Sequence, residues 1–247
     1  MKNYKLEISY DGSKYRGWQR LGNTPETIQG KIETVLSKMT GEKVEIIGAS
    51  RTDAGVHAKM QVANVKLNTN HTSESMYIYL NEYLPEDICV TLVTEVDDRF
   101  HARYNVVSKI YEYKVFNSVH GNPFIRKSTY KCEKELNIED MKEAASYLLG
   151  EHDFTSFTNV KSKKKSNVRN LMNITIEKDV NNMITFEFEG DGFLHNMIRK
   201  IMYVILEVGK GNERPIVAKE ILESRNRENS LGTALAKGLC LKEIKYN

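Results

Sequence analysis

Residues 44–67 read VEIIGASRTDAGVHAKMQVANVKL. Val44–Ala49 and Val62–Leu67 are apolar and rich in β-branched residues, and they predict two strands. Between them lies RTDAGVHA, residues 51–58, flanked by Gly48 and containing Gly55, which permit tight backbone turns. The pattern mounts Arg51 and Asp53 on a short loop held by a rigid strand. An acid presented this way suits a nucleophile or a general base. The alternative is an aspartate that merely caps its own turn, and these residues alone favour that alternative.

Working outward, Tyr4–Tyr10 alternates like a strand and ends at the turn signal Asp11-Gly12. Thr24-Pro25-Glu26 has the pattern of a helix N-cap, first-turn proline and first-turn acid. Ile28, Ile32, Val35, Leu36 and Met39 then recur at helical spacing up to Gly41. A second helix is predicted over Glu74–Tyr83 and a strand over Ile88–Val96. The same grammar returns in the second half, with a strand at Lys109–Phe116 and a helix after Asn137 carrying Met141, Ala144, Ala145, Leu148 and Leu149 up to a C-cap at Gly150. Strands at Ile174–Lys178 and Ile184–Glu189 flank a turn at Asn181-Asn182, a long helix begins at Phe193, and Leu239–Tyr246 is a last strand. The order predicts an α+β chain of two related halves, residues 1–105 and 106–247.

Composition narrows the classes of function. The 247 residues are 40% hydrophobic and 28% charged, the balance of a folded domain, which excludes wholesale disorder. Lys and Arg (36) nearly cancel Asp and Glu (33), so a nucleic-acid surface would have to arise from local clustering. Three such clusters occur: Lys14-Tyr15-Arg16 with Trp18-Gln19-Arg20, Phe100-His101-Ala102-Arg103-Tyr104, and the KSKKK run at 161–165. Three scattered cysteines argue against a disulfide framework or zinc ribbon. The N-terminus meets charge too early for a signal peptide, and the most apolar stretch, Phe193–Val208, contains Arg199 and Lys200. The expectation is a cytoplasmic chain with no membrane segment. Six histidines show no ligand spacing, no phosphate-binding loop is present, and Gly209-Lys210-Gly211 reads as a helix stop, so no metal and no cofactor are expected.

Arg199 sharpens the chemistry. It sits in FLHNMIRKIMYVILEV, apolar on nearly every side, the pattern of a core helix. A guanidinium stranded there would cost about 3–5 kcal/mol, so it calls for a carboxylate unless it snorkels to the surface. Asp53, Asp191 and Glu189 are candidates, and pattern alone does not choose. Tyr111 and Tyr113 share one face of their strand, as core residues or as a platform for a base.

Taken together these residues resemble the TruA family of tRNA pseudouridine synthases. The matching segments are YDGSKYRGWQR (10–20), TIQGKIE (27–33), GASRTDAGVHA (48–58) with Gln61-Val62, LPEDI (84–88), FHARY (100–104), IYEYKV (110–115), LLGEHDFTSF (148–157), GDGFLHNMIRK (190–200) and GLCLKEIKY (238–246). They run in family order along almost the whole chain. The resemblance implies two α+β halves sharing a continuous, mainly antiparallel sheet with helices packed on it and a central cleft. It implies a homodimer that isomerises uridine to pseudouridine at positions 38, 39 and 40 in the anticodon stem-loop of tRNA. By the same resemblance Asp53 is the catalytic nucleophile, Arg199 its ion-pair partner, and Tyr111 the residue that stacks on the target base and assists proton transfer. Arg51 would help evict the nucleotide, and Arg20 and Arg103 would join it in substrate binding. The reaction is redox-neutral, which agrees with the expectation of no cofactor. Ser50, Lys59, Lys109, Tyr203 and Leu235 depart from the family pattern, and none replaces Asp53, Tyr111 or Arg199.

Overall fold

The alternation in KNYKLEISY forms a strand, β1 (Lys2–Tyr10), in a computed structural model that describes residues 1–159 and 166–246. Tyr4, Leu6, Ile8 and Tyr10 point to one face and are buried, while the residues between them are mostly only half-buried. β1 lies between β3 (His57–Leu67) and β4 (Ile88–Val96), antiparallel to both, with Leu6 opposite Ala63 and Val93. The predicted strand at Val44–Ala49 shortens to β2 (Ile47–Gly48), antiparallel to β3. Two helices belong to this unit, α1 (Ile28–Thr40) and α2 (Ser73–Tyr83). Ile28, Ile32 and Leu36, four residues apart, are fully buried on one face of α1.

Two corrections concern helix ends. Thr24 is not the N-cap of α1: its Oγ1 accepts from the Glu26 N–H at 3.1 Å, closing a turn ahead of the helix. Thr27 caps instead, accepting from Gly30 N–H at 3.3 Å. In the second unit, α3 (Ile138–Ser146) stops before the predicted Leu149, and Gly150, with φ +98°, opens a strand rather than capping the helix.

That second unit, Ser108–Leu239, is built on β5 (Val106–Asn117), with a parallel β6 (Tyr130–Cys132) on its end. β7 (Gly150–Asp153), β8 (Val168–Lys178) and β9 (Met183–Gly190) continue it, β5 pairing β9, β9 pairing β8 and β8 pairing β7, all antiparallel. α4 (Met197–Gly209) and α5 (Val217–Ser224) complete it. α4 starts four residues after the predicted Phe193, at a left-handed Asn196, and Ile201, Met202, Ile205 and Val208 are fully buried along it. Chain order alone assigns everything after residue 105 to one half. β10 (Leu239–Tyr246) instead pairs in parallel with β3, Cys240 opposite His57, so the last strand belongs with Met1–Val107. The KSKKK run lies outside the described residues. No helix among the described residues is long and apolar enough to cross a membrane.

The turn after β1 organises the first unit. Ile28 and Gln29 N–H, the unsatisfied donors that begin α1, donate to Gly17 O at 3.2 Å and Trp18 O at 3.0 Å. The opposite side of that turn meets the β2–β3 loop: Trp18 N–H donates to Thr52 O at 3.1 Å and Gly55 N–H to Tyr15 O at 3.3 Å. Backbone lies so close to backbone that no side chain fits. A Cβ on Gly12 would sit 1.9 Å from Val56 O, and one on Gly17 (φ +98°) 2.6 Å from Thr52 O.

Gly17→Ala should therefore lower the free energy of unfolding by about 2 kcal/mol or more, through left-handed strain and displacement of the loop. Gly22→Ala, where a Cβ meets nothing within 4 Å, should stay within about 0.5 kcal/mol of the parent. Urea midpoints measure both, and equal values would contradict the close packing.

Candidate active site

The loop carrying Asp53 has its backbone groups engaged on both flanks. Gln61, fully buried on β3, donates through Nε2 to Ser50 O at 2.8 Å and accepts from Ser50 N–H through Oε1 at 3.2 Å. Ser50, one of the departures from the family pattern, is thus held at both its backbone N–H and its carbonyl. Ala49 N–H donates to Val62 O at 2.8 Å, and Val56 N–H to Asp53 O at 3.1 Å. Thr52 is buried and shares a 2.8 Å hydrogen bond with the Tyr10 hydroxyl. Gly12 N–H donates to the buried His57 Nδ1 at 3.1 Å. Around this frame Asp53 is half-buried and Arg51 exposed. A carboxylate on a loop whose neighbours are each tied down loses little entropy when it reacts.

The structure places the other arginines of the first unit differently. Arg20 spans two acids, Glu33 Oε2 at 2.9 Å and Glu45 Oε1 at 3.0 Å. Its hydrogen bond holds the Glu45 carboxyl below the usual range. Glu33 is buried and also accepts from Gln29 Nε2 and Ile46 N–H, so Arg20 helps fasten α1 to the chain entering β2. Arg103 is exposed on the loop after β4. Three polar side chains anchor that loop. Asn3 Nδ2 donates to Asp97 O and Phe100 O, Asn64 Oδ1 accepts from Ala102 N–H at 2.9 Å, and the Tyr246 hydroxyl donates to Ala102 O at 2.6 Å. Tyr104, 78% exposed, stacks on His101 with centroids 4.1 Å apart.

In the second unit the two tyrosines of β5 have separate tasks. Tyr113 is fully buried and donates its hydroxyl to Leu235 O at 2.9 Å, and burial pushes that hydroxyl well above the ordinary tyrosine range. It is a structural donor. Tyr111 is 5% exposed, and its ring meets Phe193 edge-on, centroids 5.2 Å apart at 80°. Phe193 thereby backs the Tyr111 ring.

Arg199 is half-buried on α4 and oriented by the strap 225–238 that follows α5. Its Nε donates to Ala234 O at 2.8 Å, one amino group donates to Asn196 Oδ1 at 2.9 Å, and its own carbonyl accepts from Ala234 N–H at 2.9 Å. Lys200 fixes the same strap by donating to Ser230 Oγ at 2.9 Å, with burial pushing the ammonium pKa down. Tyr203, another departure, lays its ring where a Cβ on Gly232 would sit 2.7 Å away. The other two candidate partners of Arg199 have partners of their own: Asp191 accepts from Asn170 N–H at 3.0 Å and Glu189 from Ser108 Oγ at 2.8 Å.

Sequence reasoning missed the clamping residues Gly12, Gly17, Gln61, Asn3 and Asn64, and the strap around Ala234. Glycine directly before a large aromatic, as in Gly17-Trp18, was the available signal for close backbone approach. Among the described residues no three His, Cys, Asp or Glu side chains gather where they could hold a metal ion.

A family model described as tRNA pseudouridine synthase matches residues 8–105 and 144–247. The chain is 54% identical to "tRNA pseudouridine synthase A" of Bacillus sp. (strain KSM-64) over 246 residues, the whole of both chains. It is 50% identical to proteins named "tRNA pseudouridine synthase A 2" of Bacillus cereus (strain ZK / E33L) and Bacillus anthracis, again over the whole of each. With most of its length matched by the family model and its full length by such relatives, this chain belongs to the tRNA pseudouridine synthase family.

Proposed function

We propose that this protein isomerises uridine to pseudouridine at positions 38, 39 and 40 in the anticodon stem-loop of tRNA, with Asp53 as nucleophile. One observation carries the reading: end-to-end identity with proteins bearing the synthase name, in a chain that holds the matching aspartate on a backbone-clamped loop. The nucleotide leaves its stack, which costs a few kcal/mol, and enters the site. The Asp53 carboxylate attacks it, and the bond between uracil N1 and ribose C1′ breaks. The ring rotates and C5 bonds to C1′ as the bond to Asp53 breaks and frees the carboxylate, C5 losing a proton while N1 gains one, so no atom is gained or lost.

The remaining residues take supporting roles in this proposal. Arg199, its guanidinium aimed by Ala234 and Asn196, provides the positive charge that pairs with Asp53. Tyr111, backed by Phe193, stacks on the detached base and its hydroxyl relays a proton. Arg51, exposed beside Asp53, displaces the nucleotide from its stack. Arg103 contacts phosphate from its anchored loop, and Arg20 contributes through its ion pairs with Glu33 and Glu45. The protein acts as a homodimer in the cytoplasm, one tRNA spanning two copies.

Incubation with unmodified tRNA followed by chemical mapping should reveal new pseudouridine at positions 38–40, and a blank map would overturn the reading. Asp53→Asn should unfold at the parental midpoint and bind tRNA, yet lose turnover by about a thousandfold or more. Unchanged turnover would remove Asp53 as the nucleophile, and parental tRNA binding with no pseudouridine formed even by the parent would instead point to an RNA-binding protein that performs no chemistry. Arg199→Ala should lose activity and about 1–3 kcal/mol of stability, since the carbonyl of Ala234 and the amide of Asn196 lose charged donors. Sedimentation at working concentration should show a dimer, and a monomer would remove that part of the proposal.

A further inference from the structure

We propose that the loop between β5 and β6, residues 118–129, is a second RNA-contacting element, with Phe124 stacking on a nucleotide of the tRNA other than the target uridine. The inference rests on the tRNA reading above and names a contact that reading does not include. Phe124 is 96% exposed and Val119, in the same loop, 66% exposed. Solitary apolar residues are common on surfaces, but a phenylalanine with almost none of its ring covered offers a full aromatic face to a partner.

The loop is a built structure. β5 and β6 are parallel, so the chain must cross back between them, which takes about a dozen residues. Phe124 N–H donates to Asn122 Oδ1 at 3.0 Å, and Arg126 donates from a guanidinium nitrogen to Pro123 O at 2.5 Å. Thr129 Oγ1 and Ser128 N–H both donate to Ile125 O, at 2.9 and 3.0 Å. Lys237 Nζ reaches Arg126 O at 3.3 Å from the strap after α5. These bonds hold the backbone on both sides of Phe124 while the ring stays in solvent. A partner that covered it would not first have to order the loop.

Charge identifies the partner class. From Ser118 to Thr129 the loop contains no Asp or Glu, whereas His120, Arg126 and Lys127 lie in it and Lys237 docks on it; Lys131, in β6, is paired with Glu133. An exposed aromatic face on a loop that carries cations and no acids matches stacked bases and phosphates. The core of a protein–protein interface is instead depleted of charge.

Phe124 is not among the residues assigned to the reaction, so its loss affects binding rather than chemistry.

The test uses the full chain with Phe124→Ala, Phe124→Leu and Phe124→Trp, an unmodified whole-tRNA transcript, binding by fluorescence anisotropy, and turnover by pseudouridine formation. Phe124→Ala and Phe124→Leu should each weaken Kd by about tenfold, the scale of one lost base stack, with the loss in turnover falling on KM. Phe124→Trp should restore both to near the parental value. Parental Kd in the alanine variant, or full activity in the leucine variant, would overturn the inference. So would a shift in oligomeric state for Phe124→Ala by sedimentation, because the face would then be an interface between copies. If the parent forms no pseudouridine, the functional reading fails while the anisotropy series still judges the loop.

Discussion

The loop that carries Asp53 depends on backbone packed against backbone. Residues 12–18 press on residues 52–56 so closely that Gly12 and Gly17 leave no room for a Cβ, and the same short turn receives the first N–H donors of α1. One turn thus couples a helix start to the aspartate loop. Hydrogen bonds between main chains are short and tolerate little displacement, so the loop is defined more tightly than side-chain packing alone would achieve. Tyr10 and Gln61 close the remaining sides through Thr52 and Ser50, and each comes from a strand of the same sheet.

The second unit reaches a similar end by another route. Arg199 lies on an apolar helix, and it is oriented by the strap that returns over that helix. Lys200 and Tyr203 secure the strap, so residues within about two turns of α4 serve one guanidinium direction. A charged donor bonded to a backbone carbonyl is a strong and directional contact. Tyr113 repeats the device, since its buried hydroxyl holds Leu235 at the end of the same strap while Tyr111 is left for the chemistry proposed above.

Much of this was legible in residue order. Alternation found β1 and β4, 3.6-residue periodicity found α1 and α4, and RTDAG marked the aspartate loop. Helix ends were less legible, because Thr24 and Thr27 are equally good caps by type, and a hydrogen bond to Gly30 chose between them. Gly150 looked like a helix stop and is a strand start, since a left-handed glycine serves either. Residue order marks Arg20 as part of a basic cluster but does not show that Glu33 and Glu45 converge on it.

Sequence by itself determined the main strands and helices, the family and the residue types available for chemistry, while the short β6, β7 and α5 escaped it, because periodicity, turn chemistry and collinear motifs are local properties of the chain and short elements carry little of them. Tertiary structure decided which backbone groups clamp the Asp53 loop, what orients Arg199, which tyrosine of β5 is structural, and that the last strand joins the first unit. Those outcomes depend on contacts between residues tens to hundreds of positions apart. Nothing in a local pattern encodes how closely two such segments approach, and that separation sets whether a side chain, a hydrogen bond or only a glycine can fit.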